Sequence, residues 1–109
     1  MNNLFQNLPD TNEEVIEVLH HSDAMKIERI ASNGQPSPLD FWYDQEQDEW
    51  VMLAQGTATL EFNNGEQKKM NAGDYLLIPS HRKHRVSEVS RDAIWLAVHC
   101  QKSIATFPQ

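Results

Sequence analysis

Asp44, Glu49 and His84 are the residues of this chain whose types suggest one shared chemistry. Two carboxylates and an imidazole suit a borderline divalent ion such as Zn, Fe(II), Mn or Ni. Glu49 alternates with Val51 and Leu53, so an apolar interior face of that strand would carry Glu49 inward too. A buried carboxylate is costly without a cation or hydrogen bonds. The short link Gln45–Asp48 can bring Asp44 beside it. His81 and His99 are further candidate ligands, as is Gln45. His81 lies three residues before His84, and the two converge only if 80–83 turn, which Pro79 permits. His99 shares a strand face with Trp95 and Ala97. Trp42, Tyr43 and Arg29 are candidate walls of a substrate pocket.

Each residue also has a structural reading. Glu49 can pair with Arg29, His84 can be a hydrogen-bonded core histidine, and Asp44 can cap its own loop. His81 can be an exposed turn residue, and His99 can pack at a rim. Trp42, Trp50 and Trp95 fit a core or an interface as well as a substrate platform. His20 and His21 fall at a hairpin tip, in solvent.

The elements that must position these groups are short strands. Val15, Ile16 and Val18 favour a strand over a helix across 11–20, and 14–20 with 25–30 form a hairpin. Gly34, Pro36 and Pro38 interrupt the chain. Strands follow at about 40–44, 49–55, 57–62, 66–70, 75–78, 83–89 and 93–100. Asn64-Gly65 marks a tight hairpin turn. About nine strands without a long amphipathic helix read as an all-β, antiparallel sandwich or barrel. The 109 residues make one domain: an arm over 1–13, a barrel over 14–100 and a tail over 101–109.

A net charge of −7 argues against nucleic acid, and the basic run Arg82–Arg85 is too short to reverse it. No apolar run is long enough for a membrane helix, and no secretory signal is visible. Cys100 is alone, which fits a reducing cytoplasm.

Two motifs carry a resemblance to the small single-domain cupins of the RmlC-like superfamily. The second cupin motif, G-x5-P-x-G-x2-H, aligns with Gly73, Pro79 and His84, with His81 in the place of its last glycine. The end of the first motif, E-x6-G, aligns with Glu49 and Gly56. Phe41–Gln45, Asp48–Trp50 and Trp95–His99 resemble a bacterial subgroup of stand-alone, uncharacterised cupins. The resemblance implies a double-stranded β-helix (jelly-roll barrel), a metal held by three histidines and a glutamate, and a homodimer. The outward Trp50 and Met52 also suggest a dimer.

The first motif's histidine pair is absent. Its positions fall on Trp42 and Asp44, or on Tyr43 and Gln45, depending on the spacing before Glu49. What carries over is Glu49 and His84, with Asp44 as a substitute. Three functions follow as expectations. One is a metal-dependent enzyme acting on a small oxygenated metabolite. The second is a non-catalytic small-molecule or metal-binding sensor. The third is a metal-free, sugar-type isomerase with His84 as base and Tyr43 or Tyr75 as acid.

Overall fold

The computed structural model describes residues 1–101. The expected packing of the 101–109 tail therefore falls, beyond Gln101, outside the described residues. Eight strands form: β1 (Val15–His21), β2 (Met25–Ala31), β3 (Asp48–Gln55), β4 (Thr57–Phe62), β5 (Gln67–Asn71), β6 (Tyr75–Ile78), β7 (His84–Val89) and β8 (Ile94–Cys100). They make a five-stranded sheet, β1-β2-β8-β3-β6, and a three-stranded sheet, β5-β4-β7. All pairings are antiparallel, as a jelly-roll barrel requires. No helix among the described residues is long and apolar enough to cross a membrane.

The barrel interior follows from alternation. Val51, Leu53, Trp95 and Ala97 of the large sheet meet Ala58, Leu60, Phe62 and Met70 of the small sheet, and all are buried. Glu49 and His99 stand opposite each other on β3 and β8, in phase with that apolar face. The core pattern thus carries two polar groups inward at one end of the barrel.

The strand expected over 40–44 does not form. Ser37 and Pro38 lend their carbonyls to Arg85, and Asp40 adopts a positive φ of 67°, which breaks an extended ladder. Only Tyr43 pairs, in an isolated bridge with His84.

Gly56 shows why the motif ends in glycine. Its φ is +87°, and a Cβ there would run into Ser90 Oγ and come within 2.8 Å of Ala93 Cα. The β3–β4 corner can turn only because no side chain intervenes.

Arg29 is not a pocket wall. It points to the outer face of the large sheet and is buried there. Its guanidinium pairs with Glu17 at 2.6 Å and donates to the carbonyls of Leu4, Gln6 and Asn7. Four acceptors compensate the buried charge. The N-terminal arm is thereby clasped onto the sheet. On the same outer face Trp50 packs against Tyr75 at 5.4 Å between ring centroids, and Tyr75 and Leu77 remain exposed.

Candidate active-site cavity

His84 is set by its backbone before its side chain matters. The Tyr43 amide donates to the His84 carbonyl at 2.7 Å, and the His84 amide donates back to Tyr43 at 3.1 Å. The imidazole then stacks on the Tyr43 ring, with centroids 5.5 Å apart and planes 25° apart. Phe62 lies on another side at 6.3 Å, and Arg82 covers Phe62 at 3.8 Å from its ring. His84 Nδ1 lies 2.9 Å from the Arg82 carbonyl, which can only accept, so Nδ1 carries a proton. That leaves Nε2 facing Glu49 Oε1 at 3.4 Å. A bare lone pair against a carboxylate would be repulsive. A proton held between the two groups, or a cation, makes the contact favourable.

A second pair lies beside the first. His99 Nε2 donates to Glu28 Oε1 at 2.7 Å and lies 3.9 Å from Glu49 Oε2. Glu28, Glu49, His84 and His99 are all buried. Lys26, half exposed, reaches Glu28 at 3.5 Å from outside. The four buried groups border one cavity of about 90 Å³, together with Glu14, Tyr43, Gln45 and an apolar wall that includes Trp95. Burial, and then the negative charges of Glu14 and Glu49, push the Tyr43 phenol above its ordinary value, which keeps it a protonated donor. Burial also raises the Glu14 carboxyl. The buried Gln45 Oε1 has no hydrogen-bond donor among the described residues.

Glu49, His84 and His99 therefore meet, and Tyr43 and Gln45 join them. Asp44 does not. Tyr43 pairs with His84 and turns its ring inward, so alternation sends Asp44 out, where its carboxylate meets His81 Nδ1 at 2.7 Å. Both side chains of that pair are exposed. His81 has a φ of +64°, the left-handed conformation that the motif's glycine supplies freely. The contact with Asp44 and a hydrogen bond from the His81 amide N–H to the Gln45 carbonyl at 2.7 Å hold it there. His81 is thus an outer loop residue, and the 80–83 turn does not bring it to His84. Trp42 is half-buried and does not border the cavity, and Tyr75 lies on the outer face.

Glu28 was not expected at the site. Its signal was available: it alternates with Ile30, whose partner Trp95 is in the core. Once β2 is paired in that register, Glu28 must face inward.

The Cupin domain family matches residues 29–99. A crystal structure from Ralstonia eutropha JMP134, provisionally described as a mannose-6-phosphate isomerase, is 43% identical, with 93% of this chain and 97% of that chain covered and a TM-score of 0.87. An RmlC-like cupin from Desulfovibrio desulfuricans is 19% identical over 92% of this chain and 94% of that one, with a TM-score of 0.76. An RmlC-like cupin with a double-stranded β-helix fold from Methanocaldococcus jannaschii is 17% identical over 89% and 87%, with a TM-score of 0.68. No curated protein matches the chain.

Proposed function

Because this chain belongs to the cupin family, its barrel cavity is the place to look for chemistry, and we propose that it performs metal-independent proton transfer on a small oxygenated molecule, as an isomerase or epimerase does. One observation carries this reading. His84 has its Nδ1 tied to the Arg82 carbonyl, its Nε2 aimed at Glu49, and the Tyr43 phenol on the same cavity. The His84–Glu49 pair holds an exchangeable proton where a ligand enters. When a ligand enters and the shared proton leaves to solvent, His84 Nε2 is free to accept a proton from a carbon next to a carbonyl. Glu49 stabilises the imidazolium that forms, and the Tyr43 hydroxyl donates its proton to the carbonyl oxygen. Return of the proton to the former carbonyl carbon, with the second enediol hydroxyl restoring the Tyr43 proton, completes an isomerisation. Return to the opposite face of the first carbon, once the enediol turns over in the cavity and gives its proton back to Tyr43, completes an epimerisation. The description of the Ralstonia protein as an isomerase agrees in reaction class.

The family's four-ligand metal centre does not fit these residues. Tyr43 and Gln45 take the cavity-facing places of its histidine pair, and Asp44 is turned outward onto His81. Among the described residues no three His, Cys, Asp or Glu side chains are grouped to hold an ion. A second reading, a divalent-cation site using Glu49, His84, His99 and Gln45, is favoured by one observation: the buried Gln45 oxygen lacks a donor among the described residues. These are nitrogen and oxygen donors of the kind Zn, Fe, Mn and Ni accept.

One experiment separates the readings. Protein stripped with chelator is incubated in D2O with a panel of small aldoses, ketoses and hydroxyketones, and deuterium next to the carbonyl is followed by NMR. We expect exchange without added metal, and a loss of about 10²-fold or more in Tyr43→Phe. Exchange that appears only after metal is restored, with stoichiometric metal lost in Glu49→Ala, would establish the second reading instead. Stable ligand binding without exchange would make the protein a sensor.

We also propose a homodimer through the outer face bearing Trp50, Tyr75 and Leu77. Sedimentation at the dimer mass, lost in Trp50→Glu, is the expected result; a monomer mass for the native chain removes the proposal.

A further inference from the structure

Among the described residues the cavity borders on Glu14, Glu28 and Glu49 but on no lysine or arginine. The groups among these residues able to become cations, His84 and His99, already face carboxylates. The nearby basic side chains are committed elsewhere. Arg85 pairs with Glu61 and donates to the Ser37 carbonyl, Arg82 pairs with Glu66, Arg29 holds the arm, and Lys26 reaches Glu28 from outside the cavity. Lys26 offsets Glu28 from outside, so the three carboxylates exceed the cations whenever either imidazole is neutral.

Two further observations point to the ligand. The buried Gln45 Oε1 is an acceptor with no donor among the described residues. Glu14, exposed on its outer side, stands at the cavity with no hydrogen bond or ion pair among the described residues, and desolvation of its covered part raises its carboxyl. An ammonium group supplies what both lack: several N–H donors and a positive charge. Tyr43 and Trp95 add aromatic surface, which also attracts cations.

We infer that the cavity selects a small molecule bearing a cationic amine and rejects phosphorylated or otherwise anionic ones. This rests on reading the cavity as the ligand site, and it names the substrate class. A sugar phosphate would bring its charge to a wall of carboxylates with no arginine or lysine among the described residues to receive it. The phosphate in the description of the Ralstonia protein therefore does not transfer to this chain with the reaction class.

Binding, not turnover, tests the inference. Ethanolamine and mannosamine serve as cationic probes, ethylene glycol and mannose as their neutral counterparts, and mannose 6-phosphate as the anion. Their effects on the His84, His99 and Trp95 side-chain NMR signals are titrated at low salt. The amines are expected to bind about tenfold or more tightly than the neutral partners, a modest demand for charges a few ångströms apart near a protein surface. Mannose 6-phosphate should produce no saturable shift. Glu14→Gln, at a residue whose side chain makes no contact the fold needs, should reduce the amine preference several-fold. Mannose 6-phosphate binding as well as mannosamine, or neither amine shifting these signals, overturns the inference. Amine binding without deuterium exchange would remove the catalytic reading and leave this one standing.

Discussion

His84→Ala is expected to lose proton exchange by about 10²–10⁴-fold and to lose stability for a separate reason. The imidazole is one of two basic nitrogens near Glu49, and the other, on His99, is farther away and hydrogen-bonded to Glu28. Removing it leaves a buried carboxylate poorly compensated. Breaking a buried pair in this way costs about 3–5 kcal/mol when one partner remains charged. Adding Glu49→Gln to His84→Ala removes that charge, and the double variant should be more stable than His84→Ala alone by about 1–3 kcal/mol. Exchange should stay absent. Urea denaturation of the four proteins in the cycle measures the coupling. Equal stability of single and double variants would show that Glu49 does not depend on His84, and the shared proton would have to be given up.

Phe62→Ala is the largest expected loss from the core, about 3–5 kcal/mol. The ring is among the largest fully buried side chains, on the central strand of the small sheet. A chain of this length has about 5–15 kcal/mol of stability in all, so the variant gives up a large share of it. Phe62 also has a positional role, because Arg82 lies over it and His84 leans on it. The Arg82 carbonyl sets the His84 tautomer, so a cavity under Arg82 loosens the reactive nitrogen as well as the core. The thermal midpoint should fall by more than about 10 °C. Exchange should fall further than the folded fraction accounts for. A midpoint shift with full exchange per folded molecule would confine Phe62 to packing.

The barrel was legible because its signals are local. Asn64-Gly65 and Gly73-Asp74 punctuate the strands, and Glu49 falls in phase with Val51 and Leu53. The site was legible only where it lay on those strands: Glu49, His84 and His99 are cavity residues. It was less legible along 40–47, where spacing alone leaves two registers open. The Tyr43–His84 bridge chooses between them, and a bridge to a strand forty residues away has no local signature. Asp44 and His81 were expected as ligands, and each is instead the other's outer partner. Arg29 was misplaced because an arginine in a strand does not announce which face it takes. Pairing opposite Leu96 decides that, and Glu28 beside it then turns inward.

The Arg29 clasp grips the arm by the carbonyls of Leu4, Gln6 and Asn7. Carbonyls are common to every amino acid, so this attachment is blind to the side chains it secures. Sequence drift over residues 4–6 should be cheap, while Asn7, at a φ of 54°, tolerates little but glycine. A change in the number of residues there should be costly, because it shifts which carbonyls arrive. The start of the chain is therefore a stretch where an epitope can be written in place, at constant length, without rebuilding the protein.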